Sequence, residues 1–175
     1  MRSRSPVALT ALLLATGAAG AAVPLTAQQD ATVVYLVRHA ERAEDGTRDP
    51  VISLPGWDRA RLLAETLRDA GLTHIHTTDY RRTRMTGRPT SDATGLPLEL
   101  YDPRDLDAFA RRLHDTPGRH LVLGHSDTTH ELVDALGGEA GPPIETMEYD
   151  RLYVVTLTGD GASTVLLRFG RRFEE

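Results

Sequence analysis

Short apolar segments alternate with amphipathic segments along this chain, and the alternation limits its fold more than any other feature. Residues 33–37 and 120–123 form apolar runs of strand length, and 74–77 indicates a further short strand. The segments between them place apolar residues at helical spacing. Strands that alternate with helices build a parallel sheet covered on both faces. The sequence therefore predicts one α/β domain, a three-layer sandwich with a central, mostly parallel sheet.

Capping and turn residues indicate where the first helix lies. Ser53 is the predicted N-cap of a helix within 52–70, and Gly71 is placed at its end. Its apolar face is predicted to consist of three leucines, Leu62, Leu63 and Leu67.

The remaining elements are predicted from similar signals. A second helix is expected to begin near Asp79 and to falter before Pro89, and a third to cover 106–113. Thr128 and Glu131 have capping-box spacing, which predicts a helix start just after the 124–126 turn. The chain is expected to close as a hairpin of two strands, 152–158 and 163–169.

The N-terminal segment resembles a secretory signal. Two arginines precede an apolar run at 7–23, and small and polar residues follow it. Cleavage is expected after Ala22 or Ala27; the alternative is an uncleaved membrane anchor, although the run is shorter than the roughly 20 residues of a spanning helix. We therefore assign 1–27 to a signal peptide and 28–175 to the folded domain. This predicts a periplasmic or secreted protein with no stable membrane span after cleavage.

The amino-acid composition excludes several classes of chemistry. The chain has no cysteine, which excludes disulfides, thiolate nucleophiles and cysteine-based metal centres. All 20 basic residues are arginine, which excludes mechanisms that need a lysine amine. The net charge of -5 argues against a nucleic-acid partner. Histidine, carboxylate and hydroxyl side chains remain as reactive candidates.

Charged and imidazole side chains follow the predicted strands. Arg38 and His39 come directly after the first strand, and His125 follows the strand at 120–123. Arg82 lies in the first turn of the helix after the short strand. Ligands of open α/β sheets bind beyond the carboxyl ends of the strands, so these side chains are expected to converge there. A cationic pocket of this kind favours phosphate.

Three ordered motifs resemble those of the histidine phosphatase (phosphoglycerate mutase-like) superfamily. The first is similar to its RHG or RHA signature and comprises Arg38, His39, Ala40 and Glu41. The second is similar to the motif whose arginine binds phosphate, and includes Thr78, Asp79, Arg82, Thr83 and Thr86. The third, which carries the second catalytic histidine, includes Gly124, His125, Ser126 and Thr128. The resemblance runs from residue 33 to about residue 138.

This resemblance implies a two-step phosphoryl transfer. His39 would attack phosphorus, and water would hydrolyse the resulting phosphohistidine. Arg38, Arg82 and His125 would bind the phosphate and stabilise the transition state, so no metal and no other cofactor is expected. Arg42 has the spacing of an extra phosphate-binding arginine in the acid-phosphatase branch.

The general acid is left open by the sequence. Asp127 is the first candidate, and its alternative role is to cap the following helix. Glu41 and Glu99 are weaker candidates. A substrate with a good leaving group needs no strong acid at all.

Other functions are compatible with the same residues. A phosphoester-binding module without turnover and a mutase-like phosphotransferase both use such a pocket. A metal-binding protein would use His74 and His76, which lie on one face of a strand. The expected partner is a phosphorylated small molecule or protein, and neither its identity nor the oligomeric state follows from the sequence.

Overall fold

The computed structural model describes residues 31–174, so the predicted signal peptide, 1–27, lies outside the described residues. Between residues 31 and 174, no helix is both long enough and apolar enough to cross a bilayer. The elements of this part are, in chain order, β1 (Thr32–Arg38), α1 (Leu54–Thr66), β2 (His74–Thr77), α2 (Arg81–Thr94), β3 (Leu98–Leu100), α3 (Leu106–Asp115), β4 (Arg119–Gly124), α4 (Ser126–Ala135), β5 (Arg151–Thr158) and β6 (Gly161–Arg168).

The strands form one sheet in the order β3-β2-β4-β1-β5-β6. The pairs β1–β4, β2–β4 and β2–β3 are parallel, whereas β5 runs antiparallel to β1 and to β6. A two-residue connection, Gly159 and Asp160, joins β5 to β6. The predicted mostly parallel sheet and its closing hairpin are confirmed.

Helices cover both faces of the sheet, which confirms the three-layer prediction. Alternate residues of β1 point to opposite faces. Val34 and Leu36 pack in a cluster with side chains of α3 and α4, whereas Val37 packs with Leu63 of α1. Since buried apolar surface stabilises a fold by roughly 25 cal/mol per Å², these two clusters supply most of the driving force for folding.

Helix α2 continues through Pro89, so the prediction that it falters there is wrong. Thr86, Gly87 and Thr90 form part of its buried face. A Cβ atom at Gly87 would lie 2.9 Å from Leu123 Cδ1, which shows how closely α2 approaches the sheet. An internal proline costs a helix about 3 kcal/mol or more, and packing against the sheet offsets that cost.

Strand β3 is absent from the strands predicted from the sequence. It consists of three residues and pairs in parallel with β2. A segment this short carries no readable alternation, so only its partner strand defines it. The strand at 119–124 is consequently the fourth in the chain rather than the third.

Helix α4 begins earlier than predicted. It starts at Ser126, with His125 as N-cap. The Thr128 hydroxyl accepts a hydrogen bond from the His125 backbone N–H at 3.0 Å, so Thr128 belongs to the first turn and the predicted pairing with Glu131 is wrong. Asp127 therefore lies inside the first helical turn and not before the helix.

The predicted N-cap of α1 is confirmed, because Ser53 Oγ accepts from Gly56 N at 3.2 Å. Its predicted apolar face is only partly correct. Leu63 and Leu67 are buried, but Leu62 is 40% exposed. Consecutive helical residues point about 100° apart, so Leu62 and Leu63 do not share one face.

Candidate active site

Two neighbouring strand ends bring the predicted catalytic histidines together. Pairing of β1 with β4 aligns Arg38 with Gly124, and the next backbone N–H, that of His39, donates to the Gly124 carbonyl at 2.9 Å. The rings of His39 and His125 meet edge to face with their centroids 5.4 Å apart. Both line a cleft of about 430 Å³. The cleft lies at the carboxyl edge of the parallel strands, where α/β sheets bind ligands.

The His39 imidazole is buried and presents one free nitrogen. Its Nδ1 lies 2.8 Å from the Ala40 carbonyl oxygen. Because a carbonyl can only accept, Nδ1 carries the proton and Nε2 holds a lone pair. Burial, with a further contribution from the Arg38 charge, lowers the pKa of His39 to about 3. The ring is therefore neutral near pH 7, as a nucleophile must be.

His125 is held between Arg82 and Thr78. Its Nδ1 lies 3.3 Å from Arg82 Nη2, and its Nε2 lies 3.0 Å from Thr78 Oγ1. A guanidinium only donates, so Nδ1 accepts from Arg82 and Nε2–H donates to the Thr78 hydroxyl. Burial and the Arg82 charge lower the pKa of His125 to about 4. Nδ1 therefore carries no proton in this arrangement and can donate to an anion only after it gains one.

Arg38 is fixed by backbone carbonyls and keeps a buried donor without a partner. Its Nη1 donates to the carbonyls of Glu145, Thr146 and Glu148 at 2.9, 2.9 and 3.0 Å. Its guanidinium lies 4.2 Å above the Tyr149 ring. Within residues 31–174, Arg38 Nε is buried without a hydrogen-bond partner. An orphaned buried N–H is costly, and an oxyanion in the cleft would satisfy it.

Solved structures of two kinds share this fold. The protein histidine phosphatase SixA, in complex with tungstate, has a TM-score of 0.62 and 21% identity, over 77% of this chain and 94% of SixA. The mycobacterial glucosyl-3-phosphoglycerate phosphatase has a TM-score of 0.59 and 16% identity, over 81% of this chain and 100% of that chain.

This chain also resembles known proteins in sequence, and not only in fold. The model of the histidine phosphatase superfamily (branch 1) matches residues 34–106, the stretch that includes Arg38, His39 and Arg82. "Probable phosphoglycerate mutase GpmB" of Yersinia pestis is 32% identical over 120 residues. Residues 34–106 of this chain belong to the histidine phosphatase superfamily. The matched stretch is 65% of this chain but only 55% of that superfamily relative, so the chain spans about half the length of the curated relatives it matches.

The cleft also holds the two remaining predicted residues. Arg42 lines its rim with an exposed side chain. Asp127 lines it from the first turn of α4, where its Oδ1 accepts from Thr128 N at 2.8 Å. The structure thus gathers the whole predicted set at one sheet edge, Arg38, His39, Arg42, Arg82, His125 and Asp127. Their catalytic roles stay predictions.

The other two candidate acids lie outside the cleft. Glu41 forms an ion pair with Arg59, with a closest distance of 2.8 Å, and faces a neighbouring cavity. Glu99 lies on β3, where its carboxylate is 3.6 Å from His76 Nδ1. Asp127 is therefore the candidate acid that the structure places beside His125.

His74 and His76 stack in the superfamily fold with a third ring, that of His120, at the other end of β2 and β4. His120 Nε2 lies 3.0 Å from the Thr116 carbonyl, so its Nδ1 accepts from His76 Nε2–H at 3.0 Å. His76 Nδ1 in turn accepts from Arg112 Nη2 at 3.2 Å. Among residues 31–174, no three histidine or carboxylate side chains are grouped so that they could hold a metal ion.

Sequence reasoning missed Tyr80, which lines the cleft, and Asp49, which contacts the cleft residue Arg82. The Tyr80 ring lies 4.4 Å from the Arg82 guanidinium and 5.0 Å from the His125 ring. Asp49 reaches Arg82 Nη1 at 3.4 Å and also accepts from the Arg81 backbone N–H. Asp49 lies in a loop between β1 and α1, and no periodicity or spacing connects it with the start of α2.

Proposed function

We propose that the protein is an exported phosphatase that hydrolyses a phosphoester or a phosphoramidate through a phosphohistidine on His39, without a metal. The observation that carries this proposal is the neutral, buried His39, whose free Nε2 lies in a cleft lined by Arg38, Arg82 and His125. A lone pair beside guanidinium groups is suited to attack phosphorus, because the cations reduce repulsion by the phosphate oxygens.

In the first step, the His39 Nε2 lone pair forms a bond to phosphorus, and the bond from phosphorus to the leaving oxygen or nitrogen breaks. The leaving atom takes a proton, for which Asp127 is the candidate donor. Guanidinium donors of Arg38 and Arg82 bind the phosphoryl oxygens as their charge changes. Arg42, at the rim, adds positive charge to the same cleft.

In the second step, water attacks the phosphorus of the phosphohistidine. A new P–O bond forms, the bond between Nε2 and phosphorus breaks, and the proton of the water passes to the Asp127 carboxylate. Inorganic phosphate leaves, and His39 returns to the neutral tautomer with its proton on Nδ1. The hydrogen bond from Nδ1 to the Ala40 carbonyl keeps the ring oriented through both steps.

Two other functions would use the same cleft. The curated relative named a phosphoglycerate mutase favours phosphoryl transfer between hydroxyl groups. A phosphoester-binding module would bind without turnover. Hydrolysis is the better proposal because 42 residues separate Arg82 from His125 and must form the rest of α2, β3, α3 and β4, which leaves little chain to enclose an intermediate.

The test is a panel of phosphoesters and phosphohistidine-containing protein, assayed at several pH values with EDTA present. We expect turnover of p-nitrophenyl phosphate by the wild-type protein, and a phosphoenzyme that is stable in alkali and labile in acid. His39→Ala should abolish both. Turnover by this variant would contradict the nucleophile assignment, and tight phosphate binding without any turnover would favour the binding module.

His130→Ala is the matched control for His39→Ala. His130 lies on α4, hydrogen-bonds to the Gly141 carbonyl at 2.8 Å, and does not line the cleft. We expect it to retain wild-type turnover. Transfer of phosphate to added alcohols or sugar acids in place of release would identify a mutase-like phosphotransferase.

The export part of the proposal rests on the apolar run at 7–23 and the polar residues after it. Expression of the full chain in a bacterium, followed by fractionation and N-terminal sequencing, tests it. We expect a mature protein in the periplasm or medium that starts near residue 23 or residue 28. An intact N-terminus in the membrane fraction would favour the anchor.

A further inference from the structure

Arg38 owes its orientation to one turn of the backbone, the segment 145–148 that precedes β5. All three hydrogen bonds of Arg38 Nη1 go to carbonyl oxygens of this turn, those of Glu145, Thr146 and Glu148. The next residue, Tyr149, stacks on the guanidinium. Among residues 31–174, no carboxylate lies within ion-pairing distance of Arg38. Backbone carbonyls of the turn, and not a carboxylate, therefore orient this guanidinium.

The turn is itself held closed by the Glu148 side chain. Glu148 Oε2 accepts from the Glu145 backbone N–H at 3.0 Å, and the Glu148 N–H donates to the Glu145 carbonyl at 3.0 Å. Two hydrogen bonds thus connect the ends of the turn, and one of them depends on a carboxylate. Without the carboxylate, the Glu145 N–H would lose this acceptor, and the turn would be free to open.

Two arginines fix the Glu148 carboxylate from the other side. Its Oε1 accepts from Arg151 Nε at 2.7 Å and from Arg168 Nη1 at 2.5 Å, and Glu148 is only 2% exposed. Burial raises the pKa of a carboxyl group, but these partners outweigh it and lower the pKa of Glu148 to about 2. The carboxylate stays ionised, and β5 and β6 hold it in place.

We propose that Glu148 is a positioning residue for phosphate binding: through the 145–148 turn, it holds Arg38 with Nη1 occupied and Nε free for a phosphoryl oxygen. The inference rests on the proposed function, because it assumes that Arg38 binds phosphate. Nothing in the sequence motifs indicates it, since Glu148 is 110 residues from Arg38. Glu148 does not line the cleft, and in the described part of the chain its side chain bonds only to Glu145, Arg151 and Arg168, so its effect on Arg38 passes through the turn.

Asp150 offers a matched control. It is 1% exposed, and its carboxylate accepts from the same Arg168 Nη1 at 2.7 Å and from Phe173 N at 3.2 Å, but it makes no bond to the turn. A substitution at Asp150 therefore perturbs the same buried ion network without opening the turn. Any effect that Glu148 and Asp150 variants share is structural, and any difference reports on Arg38.

The experiment compares Glu148→Gln with Asp150→Asn. For both variants, the affinity for inorganic phosphate is measured by calorimetry, and kcat and KM are measured with p-nitrophenyl phosphate. The thermal stability of each variant is measured as well. We expect phosphate binding to weaken about 10- to 100-fold in Glu148→Gln, since a misplaced binding group costs up to this factor. Asp150→Asn should lose similar stability and keep wild-type phosphate affinity. Equal losses of affinity in both variants, or none in Glu148→Gln, would overturn the proposal.

A second variant and a second readout cover two further outcomes. If Glu148→Gln fails to fold, Glu148→Asp is tested in its place. The aspartate keeps the charge beside Arg151 and Arg168, but it is too short to reach them and the Glu145 amide together. The same loss of phosphate affinity is expected. The second readout is the ¹⁵N NMR signal of Arg38 Nε, assigned from Arg38→Lys.

Opening of the turn should broaden or shift this signal in the Glu148 variant and not in Asp150→Asn. This readout needs no bound phosphate. If the wild-type protein neither binds phosphate nor hydrolyses esters, the proposed function fails, while the NMR comparison still decides whether Glu148 orients Arg38. An unchanged signal in the Glu148 variant would reject the positioning role.

Discussion

The Arg82 guanidinium donates to Nδ1 of His125 at 3.3 Å, so an arginine engages one nitrogen of this cleft-lining imidazole. The contact requires an Nδ1 without a proton, and it cannot persist if His125 donates from Nδ1 to phosphate. Such donation would place a proton on Nδ1 and move Arg82 away from it. This exchange of partners can be tested at His125 and at Arg82.

Anion binding should be accompanied by proton uptake at His125. Its pKa is about 4 in the free protein, and a bound dianion raises it, because an opposite charge favours the imidazolium. The complex then binds more protons than the free protein, so affinity rises as pH falls below the raised pKa. Sulfate, which stays dianionic over this range, should bind more tightly at pH 5 than at pH 7, as measured by calorimetry. His125→Asn should remove the pH dependence; an unchanged slope would assign the proton to another group.

Arg82→Lys should lower kcat/KM for p-nitrophenyl phosphate by about 10²-fold, because a compact ammonium lacks the planar, forked donors with which a guanidinium contacts two groups at fixed geometry. In this structure Arg82 contacts both His125 and Asp49. Arg84→Lys is the control: Arg84 lies on the same helix, is exposed and pairs with Asp79. It should retain wild-type activity. Equal losses of kcat/KM in the two variants would mean that the loss does not come from contacts specific to Arg82.

Asp127→Asn should slow hydrolysis of phenyl phosphate by about 10²- to 10⁴-fold and that of p-nitrophenyl phosphate much less, because only the poorer leaving group needs a proton. Asp107→Asn provides the control. Asp107 and Asp127 both occupy the second position of a helix, so removal of either charge has the same effect on a helix N-terminus. If Asp127→Asn leaves both substrates unaffected, Asp127 stabilises the helix and donates no proton.

The protein should lose stability below about pH 6.5 through its buried histidine chain. Burial, with contributions from His120, Arg112 and His74, lowers the pKa of His76 to about 3, and Glu99 is the nearest carboxylate. The unfolded chain, with a histidine pKa near 6.5, then binds more protons than the folded one. The free energy of unfolding therefore has its full value above about pH 6.5. It falls towards pH 3 by about 1.4 kcal/mol per pH unit for each such histidine.

His76→Gln should flatten this loss in urea unfolding measured between pH 7 and pH 4.5, although it lowers stability at pH 7. His114→Gln, a change at an exposed position of α3, should leave the pH dependence unchanged. If the slopes of wild type and His76→Gln coincide, His76 does not titrate on unfolding.

The layered α/β fold and the main members of the cleft could be predicted from the amino-acid sequence. Short apolar runs locate the buried strands, and residues at the ends of parallel strands meet at one edge of a sheet, so His39 and His125 were expected to lie close together. Asp49 and Tyr80 were not predicted, because they contact Arg82 from a loop and from a helix start whose positions depend on the packed structure.

The contacts that orient each of these side chains depend on the tertiary structure and could not be predicted from the sequence. The continuation of α2 through Pro89, the tautomers of both imidazoles and the buried Glu148 that closes the turn under Arg38 arise from contacts between distant segments. The pattern of apolar and polar residues along a sequence indicates local secondary structure and burial, but it does not indicate hydrogen-bond partners. Hydrogen-bond partners, and with them the protonation states of His39 and His125, are set by which atoms the completed fold places within about 3 Å of each other.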